Sequence, residues 1–170
     1  MSYFKPLPSL AELRYRLALR SDGVLIWKRP TSLRAKAGAE AGCLTRGYIK
    51  IGIHGLPYMA HRIVWALKYG RDPAPHGIDH VDGNKSNNHP SNLRLCNQSQ
   101  NGLNQGVSMT NTSGVKGVSY DPTSKARPWR SYVAGQKLGR FSTKEEATRA
   151  LVDATTRMKD HAFYRHDFVL

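Results

Sequence analysis

The stretch DHVDGNKSNNHPSNLRLCNQSQN, residues Asp79 to Asn101, decides how the chain folds around its chemistry. Two short apolar runs, Ile78 to Val81 and Leu93 to Cys96, bracket a loop of Asp, Gly, Asn and Ser. The pattern predicts strand, polar loop, strand and then helix. Asp82-Gly83 and the dense asparagines supply side-chain hydrogen bonds that hold a loop rigid without an apolar core. Asp79 and His80 are adjacent, so on a regular strand they face opposite ways, but near a strand end both can turn toward one locus. Asn97 is a natural N-cap for the helix, and Asn101 then sits one turn in, aimed at the hairpin. Taken singly, each of these residues suits an inert polar loop. Their joint arrangement asks for more.

The rest of the chain supplies context. Among 170 residues, 26 Lys and Arg face 12 Asp and Glu, a formal charge of +14 with a pI of about 10.1. Such an excess favours a polyanionic partner. No run approaches the roughly 20 apolar residues of a membrane span. Residues 1–19 carry Lys5, Glu12, Arg14 and Arg16 and no apolar signal region, so the chain reads as intracellular, with no membrane partner. Cys43 and Cys96 make neither a disulfide framework nor a Cys-x-x-Cys pair.

The charge is unevenly placed. Residues 1–70 hold twelve basic and three acidic side chains, a net of +9, and residues 107–170 hold eleven and six, a net of +5. Residues 71–106 hold three of each and are neutral. Coating a polyanion needs no acidic gap, whereas holding a divalent cation beside a phosphate calls for carboxylate or amide oxygens.

Working outward, residues 7–20 predict a helix, with Leu10, Leu13 and Leu17 at helical spacing, and Val24 to Trp27 a short strand. Residues 29–42 read as a basic loop. A hairpin over 48–59 turns at His54-Gly55 and leads into an amphipathic helix over 60–69, stopped by Gly70. Residues 102–113 have linker composition. Strand-like runs follow at 115–120, 129–134 and 137–141, and then a helix opening at Ser142-Thr143 with Glu145 and Glu146 in its first turn. The expectation is an α+β chain of two domains, 1–106 with the motif at 76–106, and 107–170.

Residues Asp79 to Asn101 resemble the HNH (ββα-metal) endonuclease family, in the phage and homing branch where Asn replaces the final His. The resemblance carries through Asp79-His80, Asp82-Gly83-Asn84, Asn87-Asn88, Asn92-Leu93 and Asn101 without a gap. It implies a ββα-metal nuclease core, preceded here by a small hairpin and helix region. It also implies roles: His80 as general base, Asp79 and Asn101 as metal ligands, and Asn92 as the residue that orients the loop and the histidine. Mg²⁺ (or Mn²⁺) is the implied cofactor, double-stranded DNA the substrate, and 5′-phosphate and 3′-hydroxyl ends the products. No structural zinc is expected. His61 reads either as a metal ligand or as a helix-start residue that packs or touches phosphate. His76 and His89 read as loop residues outside the chemistry.

Residues 111–167 resemble AP2-type DNA-binding domains, through Ser113 to Val118, Trp129, Leu138 to Phe141 and Glu145 to Ala147. The implied fold is a three-stranded antiparallel sheet with one helix. The implied DNA contacts are Lys116, Ser119, Trp129, Tyr132, Lys137 and Arg140, with Trp129 equally readable as sheet packing. Arg29, Arg34, Lys36, Arg46 and Lys50 add a basic N-terminal surface suited to phosphates. The sequence therefore leads to a site-selective, metal-dependent endonuclease, phage-encoded and acting as a monomer on DNA. The competing reading is a DNA-binding regulator with a decayed nuclease fold.

Overall fold

A computed structural model describes residues 5–158. The fold is α+β, and the chain divides into two compact units, Met1–Asn97 and Gln98–Leu170.

The first unit begins with helix α1 (Leu10–Arg16), capped by the Ser9 side chain, which accepts from the Glu12 N–H. The helix is shorter than its leucine spacing predicts. At Leu17 the backbone turns extended (φ −126°, ψ 147°) and starts strand β1 (Leu17–Leu19), antiparallel to β2 (Leu25–Trp27). Tertiary pairing overrides local propensity here, because the extended form buries Leu17 against Leu25 and Trp27. Residues 29–42 form the expected loop, tied to β2 by an Ile26–Glu40 bridge and by backbone hydrogen bonds that join Gly38 and Ala39 to Trp27 and Ala41 to Leu25.

Strands β3 (Cys43–Thr45), β4 (Tyr48–Ile53) and β5 (Leu56–Met59) make an antiparallel sheet in that order. The β4–β5 hairpin turns at His54-Gly55, both at positive φ (51° and 74°), the pair required by a two-residue turn that matches strand twist. Helix α2 (Ala60–Tyr69) follows and ends at Gly70 in the left-handed region. Its Ile63 and Val64 join Leu13, Leu17, Leu25, Ile51 and Ile53 in one core. Each such side chain contributes on the order of 1.5–3 kcal/mol by leaving water. Arg62 leaves this helix to meet Asp72 at 2.7 Å and the Lys5 carbonyl at 2.7 Å, pinning the chain just before β6 (Gly77–His80). Strand β6 pairs antiparallel with β7 (Leu93–Cys96), and a short 3₁₀ turn at Pro90–Asn92 leads into β7.

The second unit opens with helix α3 (Gln98–Asn104), so that the chain order through the motif is strand, strand, helix. The Lys116 ammonium lies 2.9, 2.6 and 2.7 Å from the carbonyls of Gly102, Leu103 and Gln105. These carbonyls lie at or just past the helix end, where intrahelical partners run out, and a cation there also offsets the helix dipole. Strands β8 (Val118–Tyr120), β9 (Trp129–Val133) and β10 (Gln136–Phe141) form an antiparallel sheet with β9 central. Helix α4 (Lys144–Thr156) starts at Thr143 with a full capping box to Glu146. Its Ala147 and Leu151 pack on Val118 and Val133. The part of the 111–167 resemblance beyond residue 158 lies outside the described residues.

Gly23, in the β1–β2 turn, has φ +87°, and a Cβ there would meet the Asn88 carbonyl oxygen at 2.2 Å. Gly23→Ala therefore carries both a backbone and a steric penalty. We expect it to destabilise the fold by more than about 1 kcal/mol, seen as a lower melting temperature in circular dichroism. An unchanged melting temperature would show that this close approach is not kept.

Candidate active site

The polar loop between β6 and β7 is built from side-chain hydrogen bonds, as its composition requires. The Asn92 Oδ1 accepts from the Asp82 N–H at 3.0 Å, while its Nδ2 donates to Asp82 Oδ1 at 2.9 Å and to the Asn87 carbonyl at 2.8 Å. Asp82 also accepts from the Asn84 N–H and, at 2.7 Å, from Asn87 Nδ2. Burial alone would raise the Asp82 carboxyl, but the bonds from Asn87 and Asn92 outweigh it and hold it below the usual range. An ionised Asp82, locked by two amides, fixes the path of residues 81–92.

That loop sets His80. The ring is buried at the end of β6, opposite Leu93, and its Nε2 lies 3.2 Å from Asn88 Oδ1. An amide oxygen only accepts, so Nε2 carries the proton and the basic lone pair is on Nδ1. Asp79, one residue earlier, is also buried and faces Arg94 across the hairpin. The Arg94 Nε and Nη2 stand 2.8 and 2.7 Å from Asp79 Oδ2. This ion pair fixes the orientation of the carboxylate.

A second histidine borders the site. His61, the second residue of α2, packs edge-on to His80 with ring centroids 5.2 Å apart, and Tyr48 of β4 lies 5.6 Å from His61 and 6.2 Å from His80. Burial, then the neighbouring His80 and Arg62, push the His61 imidazole down to about 3. It is therefore neutral at any ordinary pH. The Lys85 ammonium stands 5.2 Å over the Tyr48 ring. His76 is exposed, and His89 serves as a cap, its Nδ1 2.7 Å from Ser91 Oγ.

Of the candidates read from sequence, Asp79, His80 and Asn92 thus converge on one hairpin, and Asn101 lies exposed on α3 in the second unit. Arg29, Arg34, Lys36 and Arg46 are exposed, Arg29 resting over the Tyr15 ring at 4.3 Å, and Lys50 is half-buried on β4. In the second unit, sheet alternation puts Ser119, Tyr132, Lys137 and Arg140 on the face away from α4. Trp129 lies on the other face, packed against the core. Lys116 caps α3. The sequence reading passed over Asn88, Tyr48 and Lys85 around His80, and Asp121 and Arg130 on the open sheet face. Asn88 stood in plain view inside the motif, but only the folded loop shows which asparagine meets the ring.

The hairpin thus holds a buried His-Asp pair and an Asn-braced loop, and the chain order through it is strand, strand, helix. Residues 58–103 match the family model described as HNH endonuclease. The chain is 40% identical over 77 residues to "Protein 3.8" of Escherichia phage T7, covering 45% of this chain and 61% of the relative. It is 42% identical over 60 residues to "Uncharacterized HNH endonuclease L560" of Acanthamoeba polyphaga mimivirus, covering 35% and 32%. The chain thus spans less than two thirds of either relative. A solved structure described as "DNA binding and cleavage by the HNH homing endonuclease I-HmuI" aligns at 25% identity with a TM-score of 0.42, covering 58% of this chain and 56% of that one.

Two measurements test this geometry. Asn88→Ala removes the acceptor that selects the Nε2–H tautomer, so the His80 ring nitrogens should show mixed tautomers by NMR; an unaltered spectrum would remove Asn88 from the site. His61 must stay neutral when folded, with its pKa lowered from 6.5 to about 3, whereas the unfolded chain binds a proton below 6.5. Stability should therefore fall as pH drops from about 6.5 toward 4.5, before the carboxylates titrate. His61→Gln should flatten that slope in denaturant melts.

Proposed function

We propose that this chain is a metal-dependent endonuclease that hydrolyses phosphodiester bonds in double-stranded DNA at preferred sites. The observation that carries the reading is the buried His80 imidazole, fixed by Asn88 beside an Asp79 carboxylate fixed by Arg94. In-line attack on a phosphodiester needs a group that takes a proton from water, and a neutral imidazole suits pH 7. His80 Nδ1 is that base. Asn92 acts through the loop, holding the main chain that sets His80 and Asn88.

Asp79 and Asn101 are the metal ligands in this reading. A carboxylate and an amide oxygen are hard donors, and their chemistry fits Mg²⁺ or Mn²⁺. When bound, such a cation supplies charge neutralisation at the scissile phosphate and the leaving oxygen. Arg94 holds the Asp79 carboxylate through Oδ2, and Asp82, locked within its own loop, has a structural role. Residues 1–106 act as the nuclease region, α3 included, and residues 107–170 as an AP2-like DNA-binding domain. In that domain Ser119, Tyr132, Lys137 and Arg140 face DNA, while Lys116 and Trp129 support the fold. Arg29, Arg34, Lys36, Arg46 and Lys50 hold phosphates. One site per monomer is suited to nicking a single strand. The exposed basic side chains favour this over a decayed, purely regulatory protein only together with an intact His80 constellation, which a regulator has no need to keep buried and braced.

The test is supercoiled plasmid incubated with the full chain and Mg²⁺ or EDTA. Nicked or linear product is expected only with metal. His80→Ala should lose cleavage by at least about 100-fold, within the range general-base catalysis contributes, with duplex binding retained in gel shift. Binding without any cutting by the wild-type chain would favour the regulatory reading instead.

A further inference from the structure

The face of the second sheet that turns away from α4 carries an arrangement that stability alone disfavours. Arg130 on β9 and Arg140 on β10 are direct cross-strand partners. Like charges in that position repel. Ser119 completes the row on β8, opposite Arg130. Asp121 stands at the end of β8 on the same face, buried, and its Oδ2 meets both guanidiniums: Arg140 Nη2 at 2.8 Å and Arg130 Nη2 in closer contact. Its Oδ1 accepts from the Thr123 N–H at 3.1 Å and from Thr123 Oγ1 at 2.7 Å, so the carboxylate cannot swing away.

One arginine would neutralise Asp121. The second leaves a net positive charge and adds a repulsion, so the pair answers to something outside the unit. Both guanidinium side chains remain partly open to solvent, at 35% and 43%, while Asp121 is 7% exposed. With Lys137 on the same face, the surface shows cations outward and keeps the Asp121 carboxylate underneath. That charge pattern fits a polyanion. A guanidinium held by an ion pair has less freedom to lose on binding than a mobile one, which suits the two acceptors on a guanine edge in the major groove.

We propose that Asp121 clamps Arg130 and Arg140 into a fixed pair that reads guanine in duplex DNA, so that Asp121 governs base preference and not bulk affinity. The inference rests on the reading of residues 107–170 as a DNA-binding domain. Asp121 is a positioning residue, and Arg130 is a contact residue that the strand pattern alone did not single out.

The experiment selects preferred sites from a random-sequence duplex pool with the full chain in EDTA. It then compares affinity for the selected duplex with that for a shuffled one. Asp121→Asn keeps the Thr123 bonds and loses the charge. It should cut the ratio of the two affinities at least about fivefold, the low end of what a good bidentate contact provides, with shuffled-duplex binding unchanged or tighter. Arg140→Lys keeps the charge and loses the fork, and should cut the ratio similarly. An intact ratio in both variants overturns the clamp, as does an Asp121→Asn loss that is equal on both duplexes. If Asp121→Asn fails to fold, Arg140→Lys decides alone. Preference of the wild-type chain for a single-stranded RNA pool over duplex overturns the occupant. Plasmid nicking separates the two readings: wild-type nicking with an unaltered ratio sinks only the clamp, while absence of both nicking and duplex binding sinks the proposed function with it.

Discussion

Asn92 is the constraint on which the β6–β7 hairpin depends. A loop of Asp, Gly, Asn and Ser has no apolar surface to bury, so its conformation must come from hydrogen bonds, each adding only about 1 kcal/mol net. Asn92 makes three, two to Asp82 and one to the Asn87 carbonyl, and thereby closes the loop on itself. The next residue along from Asn87 is Asn88, which meets His80. The chain of cause runs from one buried amide through the main chain to the tautomer of an imidazole. Gly23 reaches the same place from the other side, its missing side chain leaving room for the Asn88 carbonyl.

How much of this was legible follows from what each residue depends on. That Asp79, His80 and Asn92 share one hairpin could be read because local sequence sets it, and there spacing maps directly onto geometry. Helix α2 with its Gly70 stop was legible for the same reason. Leu17 was not: its helical spacing is real, but pairing with β2 buries it better as strand. Tyr48 and His61 come within ring-stacking distance of His80 only because β4 and α2 pack beside β6, which no local pattern encodes. On the second sheet the difference of one residue mattered. Trp129 and Arg130 are neighbours, and only the strand register tells that the tryptophan turns inward to α4 and the arginine outward.

Trp129 illustrates why composition misleads at such surfaces. An aromatic ring among basic residues looks like a platform for bases, yet a small three-stranded sheet has few large side chains with which to cover its helix. Val118, Val133, Ala147 and Leu151 leave a core that needs Trp129 and Phe141 to close it. The polar contacts are correspondingly left to arginine, whose long stem and planar head reach outward without taking apolar area from the core.

The acidic side chains explain the charge better than the basic ones do. With 26 cations and 12 anions, most carboxylates could have been scattered over the surface as solvated partners worth little. Instead Asp79 and Asp121 are buried and Asp72 half-buried, and each is joined to arginine: Arg94, the Arg130–Arg140 pair and Arg62 respectively. Buried ion pairs are poor sources of net stability, since desolvation offsets the attraction, but removing one partner leaves the other stranded at a cost of several kcal/mol (about 3–5). They therefore act as geometric locks more than as glue. At Asp72 the lock sets where β6 begins, at Asp79 it sets a candidate ligand, and at Asp121 it sets two outward-facing cations. In the neutral middle of the chain, Asp72 and Asp79 thus hold arginines while Asp82 holds amides, so the acidic side chains there serve to fix geometry rather than to balance surface charge.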